Sequence, residues 1–167
     1  AMIAAILRHA QIPVCRILDV GCGVGLLRDA FARVLPRARY TGLEYSEYLC
    51  RRYGWTQGSA ADFRPRKSFD LVTCYDVLQY LDDATAKRAL ANFARLTHAA
   101  LYVSALTRRD VRENCDLSRT DLKVHLRSGA WYRRRLQRNF VPLGFGIWLR
   151  RGVSAILWEM ERNRPAL

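Results

Sequence analysis

Residues 17–25, ILDVGCGVG, read as a buried strand that runs into a glycine-rich turn and then into a helix. Asp19, Gly21, Cys22, Gly23 and Gly25 in this run are candidate ligand contacts. Glycine is needed where a backbone takes positive φ and approaches a ligand with no Cβ in the way. A helix behind such a turn offers unpaired N–H groups to an anionic ligand group. The spacing is G-x-G-x-G, and Leu26 stands where a dinucleotide loop, G-x-G-x-x-G, has its third glycine. That departure argues against a pyrophosphate. It suits a ligand with a carboxylate and an amine, for which Asp19 supplies an acid.

Nineteen residues after Gly25 a second predicted strand ends in Glu44. A carboxylate has two oxygens and several lone-pair sites, so an acid here can accept both hydroxyls of a ribose. Further along, Asp76 follows the strand FDLVTC, and His125 lies in a polar stretch after the fifth strand. These two and Tyr80 are the candidate general bases, with Tyr80 expected to pack at a helix start.

These groups must be held by alternating strands and helices. Helices are predicted over residues 1–10, 26–34, 46–53, 82–97 and 129–139, with Ser46 as an N-cap and Gly54 as a stop. Strands are predicted over residues 16–20, 39–43, 55–58, 69–74 and 100–106. Two more strand-like runs, 140–149 and 153–161, are joined by Arg150, Arg151 and Gly152 as a hairpin. The pattern implies an α/β fold: a doubly wound, mostly parallel seven-stranded sheet, helices on both faces, and a C-terminal antiparallel hairpin. With no linker or repeat, residues 1–167 read as one domain, with 107–130 as a substrate-side insertion.

Half of the residues are hydrophobic, which excludes a disordered chain. No apolar run approaches the ~20 residues that span a bilayer, and no signal-peptide layout is present, so a soluble protein is expected. The five cysteines lack framework or zinc spacing, which predicts reduced thiols, a cytoplasmic setting and no metal site. The net charge of +13 is carried mainly by arginine, most densely at Arg133, Arg134, Arg135 and Arg138. On a helix these cover the solvent side of a stripe made by Trp131, Leu136 and Phe140. Such a face is either simply solvated or meets an anionic partner: a substrate carboxylate or phosphate, or RNA.

Taken together, ILDVGCGVG, the acid in GLEYS, the segment GSAADF and the stretch FDLVTCYDVLQYL resemble the first four motifs of class I S-adenosylmethionine-dependent methyltransferases, in the family's order and spacing. The resemblance covers about residues 14–106, and the C-terminal hairpin fits the family's reversed last strand in its Rossmann-like fold. It implies S-adenosyl-L-methionine as cofactor, with Asp19, Gly21, Gly23 and Gly25 around the methionine moiety and Glu44 on the ribose. Tyr45 would pack beside the adenine, Ser59 and Ala60 at its edge, and Asp62 close behind. Cys74, Tyr75 and Asp76 would face the methyl group. Relatives often carry an acid at the position of Ser59 and a histidine at that of Tyr80. They also have extra N-terminal helices, so an open or partner-completed pocket is expected here. The Asp/Asn-Pro-Pro-Tyr tetrad of enzymes that methylate adenine or glutamine amino groups is replaced by Cys74-Tyr75-Asp76-Val77. The resemblance therefore implies a small-molecule acceptor, with RNA methylation or non-catalytic cofactor binding as alternatives.

Overall fold

The structure, a computed structural model, describes residues 2–156. Five strands follow the predicted order: β1 (Arg16–Val20), β2 (Arg39–Glu44), β3 (Thr56–Gln57), β4 (Phe69–Tyr75) and β5 (Thr97–Ser104). Between and around them lie α1 (Met2–His9), α2 (Leu26–Val34), α3 (Glu47–Tyr53) and α4 (Asp83–Leu96), with a single 3-10 turn at Leu78–Tyr80. Then come α5 (Arg108–Glu113), α6 (Gly129–Leu136), β6 (Phe140–Gly144) and β7 (Ile147–Arg150). No helix among the described residues is long and apolar enough to cross a membrane.

The sheet runs β3-β2-β1-β4-β5-β7-β6. Its first five strands pair in parallel, and β7 is antiparallel to both β5 and β6. The order reverses direction between β1 and β4, the switch point at which open α/β sheets bind ligands. Both faces are covered, as parallel strands require. On one face Leu18, Val72 and Leu101 pack against Leu90 and Phe93 of α4 and Leu136 of α6. On the other, Ile17, Leu71 and Ala100 pack against Leu7 of α1 and Phe31 of α2. Each fully buried large apolar side chain contributes about 1.5–3 kcal/mol, so this two-sided core fixes the strand ends that build the site.

Side-chain caps set several helix starts. Ser46, Asp82, Thr107 and Ser128 accept backbone N–H groups at the first turns of α3, α4, α5 and α6. The hairpin differs from expectation. It turns at Phe145 and Gly146, between β6 and β7, rather than at residues 150–152. Gly144, Phe145 and Gly146 all take positive φ, the geometry that a tight hairpin demands. Residues 153–156 are not strand, and the rest of the expected second strand lies outside the described residues. The β5 strand also starts three residues early, at Thr97, because α4 stops at Leu96 and passes directly into it.

Candidate active site

The glycine turn leaves β1 at its C-terminal end. Gly21 and Cys22 both donate their N–H to the carbonyl of Leu43 on β2, at 2.7 and 3.3 Å. Gly23 has φ +53, and a Cβ added there would meet nothing within 4 Å. The turn therefore presents bare backbone to open space, the condition for close ligand approach. Gly25 is the N-cap of α2 and makes no side-chain cap, unlike the N-caps of α3 to α6. The first N–H groups of α2 are thus left for an anionic ligand group.

Glu44 ties this turn to the end of β2. One of its oxygens accepts the N–H of Gly23 at 2.9 Å. The other accepts the N–H groups of Tyr45 and Ser46 at 2.8 and 2.9 Å. Three backbone donors orient the carboxylate and still leave lone-pair capacity for a ligand hydroxyl. Beside it opens a cleft of about 520 Å³, walled by Gly21, Glu44, Tyr45, Ser59 and Ala60 on one side and by Asp76, Val77, Tyr80 and Asp82 on the other. Its charged wall residues are all acids, Glu44, Asp76 and Asp82, in a chain of net charge +13.

Several of the expected contacts lie off the cleft wall. Asp19 does not reach the cleft: it is 2% exposed, and its oxygens accept the hydroxyls of Tyr40 at 2.5 Å and Thr73 at 2.7 Å. Burial pushes its carboxyl above the ordinary range, against the pull of those two bonds. Its position is that of a brace between β1, β2 and β4. The Cys22 side chain is buried against Gly42, and burial, with the charges of Asp19 and Glu44, pushes its thiol up to about 12. Cys74 belongs to the core, fully buried on β4, where desolvation raises its thiol. Both are buried thiols, and neither walls the cleft. Tyr75 stacks on Tyr102 at 6.3 Å, and Asp62 is exposed near Arg88; neither walls the cleft.

The candidate bases separate. Asp76 stands on the cleft wall in a left-handed conformation, φ 55, with its N–H on the carbonyl of Ser104 at 3.0 Å. Such a conformation is uncommon away from glycine and marks a position held by its surroundings. His125 is exposed, outside the cleft wall, and its backbone N–H donates to the carbonyl of Gln79 at 2.7 Å. Tyr80 is 54% exposed on the cleft rim, and partial burial with the nearby carboxylates of Asp121 and Asp76 raises its hydroxyl. It is a neutral phenol rather than a buried helix-start residue.

Two residues escaped the sequence reading. Trp55 donates its indole N–H to the carbonyl of Gly23 at 2.8 Å, and its ring fills the space where a Cβ on Gly25 or Gly42 would stand. Arg127, 4% exposed, donates to the carbonyls of Leu78 at 2.9 Å and Leu81 at 2.5 Å and to Asp83 at 2.7 Å. It hangs the far wall of the cleft from the segment before α6. A tryptophan just past a helix-ending glycine, and an arginine just before a Ser-Gly helix start, were the faint local signals.

A parallel sheet with a glycine turn at its switch point and an acid closing the next strand defines an adenosine-binding α/β enzyme. A family profile described as a methyltransferase domain matches residues 18–99. The ubiquinone biosynthesis O-methyltransferase of Xanthomonas euvesicatoria is 29% identical over 173 residues, spanning 91% of this chain and 70% of that protein. Its namesake in Hahella chejuensis is 30% identical over 113 residues, 60% of this chain and 47% of its own. Among solved structures, DesVI of Streptomyces venezuelae superposes with TM-score 0.54 at 26% identity, covering 64% of this chain and 49% of that one. The magnesium protoporphyrin IX methyltransferase ChlM from Synechocystis PCC 6803, solved with bound S-adenosylhomocysteine (SAH), shares the fold with TM-score 0.65 at 19% identity, over 89% of this chain and 80% of that one. The chain is an S-adenosylmethionine-dependent methyltransferase similar to the class I enzymes. The uncapped start of α2, the open space at Gly23 and the oriented Glu44 fit that cofactor's carboxylate, backbone approach and ribose.

Proposed function

We propose that the chain methylates a small-molecule acceptor, with the cofactor seated between the glycine turn and Glu44 and the acceptor entering past Asp76 and Tyr80. The observation that carries the cofactor assignment is the 2.9 Å bond from the Gly23 N–H to Glu44, which joins the turn and the acid into one wall. The cofactor supplies a methyl group already activated by its sulfonium. The protein's part is alignment of the acceptor with that methyl group. Tyr45, Ser59 and Ala60, all on the cleft wall, suit the adenine side, and the acid-only wall suits a cationic ligand. Asp76 walls the cleft and His125 does not, which favours Asp76 as the base for an acceptor that must lose a proton. The names of the relatives, ubiquinone biosynthesis O-methyltransferases, agree with a small acceptor.

Calorimetric titration with SAH tests the cofactor seat. Gly23→Ala, whose methyl would project into open space, and Glu44→Gln should each weaken binding by about 1–3 kcal/mol. Parent-like affinity in both variants overturns the assignment. Asp76→Asn should lower kcat for a hydroxyl acceptor while leaving SAH affinity within about twofold. Unchanged turnover would remove Asp76 from the mechanism.

A further inference from the structure

No arginine of α5 or α6 lines the cleft, yet four of them, Arg108, Arg109, Arg112 and Arg133, line a second pair of hollows. The first, about 320 Å³, lies between the end of β5, α6 and the β6–β7 hairpin, with Ser104, Thr107, Tyr132 and Arg133 as polar lining. The second, about 560 Å³, shares Thr107, Gly129 and Arg133 with it and continues to Arg108, Arg109 and Arg112. Together they form one furrow with Arg133 at the junction. The Arg133 guanidinium lies over Gly129, where a Cβ would stand 2.9 Å from its Nη1. Arg133 is exposed and lines both hollows, so its charge is open to a ligand entering either one.

The acid inside the furrow is already committed. Asp110 accepts the Thr107 N–H at 3.0 Å and its hydroxyl at 2.6 Å, and the Asn114 amide at 3.2 Å, bonds that hold its carboxyl below the usual range. Arg109 and Arg112 both lean on Glu113. Arg108 and Arg133 have no carboxylate in ion-pair distance among the described residues. The furrow therefore offers two uncommitted guanidiniums, while the cleft wall carries only acids. The two meet across one hydrogen bond: Asp76 of the cleft donates its N–H to the carbonyl of Ser104, which lines the furrow.

We propose that this furrow is a subsite for an anionic group of the acceptor, a carboxylate or a phosphate, bound by Arg133 and Arg108 while the atom to be methylated lies at Asp76. The proposal rests on the methyl-transfer reading of the cleft. Guanidinium forks match both oxyanions in geometry as well as charge. A nucleic acid is a poorer occupant, because base stacking needs a free ring in the basic groove. The two aromatic rings that line it, Tyr132 and Trp148, are buried, and the neighbouring Trp131 is covered by Arg135 at 3.7 Å and by Arg127 at 4.8 Å.

The test titrates the full chain at fixed salt with inorganic pyrophosphate and, separately, with citrate, each with and without SAH. One or both anions should bind, and the one that binds more tightly identifies phosphate or carboxylate as the group recognised. Arg133→Gln and Arg108→Gln should each weaken that binding about tenfold or more. Arg134→Gln, on the exposed side of α6, should leave it unchanged, and all three variants should keep parent-like SAH affinity and melting temperature. Loss spread equally over Arg134→Gln would reveal a diffuse basic surface and overturn the subsite. So would tighter binding of a single-stranded RNA oligomer that depends on Arg134 and Arg138. If SAH binds and neither anion does, the subsite alone fails. If the parent does not bind SAH, the methyl-transfer reading fails and the subsite with it.

Discussion

The indole N–H of Trp55 holds the carbonyl of Gly23 at 2.8 Å, so the ligand-facing turn hangs from a side chain thirty-two positions downstream. The same ring packs within 6.0 Å of Tyr40 and Tyr53 and lies under the Arg28 guanidinium at 5.2 Å. The turn is thereby fixed from behind, leaving its front for the cofactor.

Trp55→Phe keeps most of the ring contact and removes the hydrogen bond. Stability should fall by about 0.5–1.5 kcal/mol, with a parallel loss of SAH affinity. Chemical denaturation and calorimetry report the two effects. A variant equal to the parent in both would show that the turn holds itself.

Gly21→Ala should damage the site for a different reason. The new Cβ would lie 2.3 Å from Cγ2 of Val77, at φ +68. The clash pushes the turn against the opposite cleft wall. A second change, Val77→Ala, relieves the collision but not the backbone strain, so the double variant should recover part of the lost stability. No recovery would mean that φ alone decides.

Asp19 predicts a pH effect. Unfolded, its carboxyl releases a proton near 3.8; folded, burial moves that release to higher pH. Between the two values the folded chain holds more protons. The stability gained from the protonated carboxyl is therefore full below 3.8 and declines as pH rises through the folded value. Asp19→Asn cannot ionise and should flatten that part of the stability profile. Parallel profiles for parent and variant would refute the shift.

Arg127→Lys keeps the charge but loses the planar fork that reaches two carbonyls and a carboxylate at once. Asp83 is 62% exposed and adds little. The expected loss, about 1–3 kcal/mol, comes mainly from the carbonyls of Leu78 and Leu81. Hydrogen exchange of residues 78–82 should quicken more than that of β1. Uniform quickening would point to global destabilisation instead.

The glycine turn, Glu44 and the strand–helix order were legible because each is a local pattern: a strand, a turn and a helix in immediate succession. The directions of Asp19 and Cys74 were not. In a parallel sheet both faces are buried, so alternation along β1 and β4 gives no sign of which side chain faces a ligand. The hairpin was mislocated because Arg150, Arg151 and Gly152 look more like a turn than Gly144, Phe145 and Gly146, where Phe145 itself takes a positive φ. Trp55 and Arg127 act on partners more than thirty residues away, beyond any periodicity.

Arg127 also sets an order on the ribosome. Strands β1, β2, β4 and β5 can pair with one another once residue 104 has emerged, because no later strand lies between them. The far wall of the cleft cannot, since Leu78 and Leu81 wait for an arginine 49 and 46 positions further on. A nascent chain stalled between those points would own a sheet and a glycine turn but half a cleft. The acceptor side of the cleft would be finished only after residue 127 has emerged.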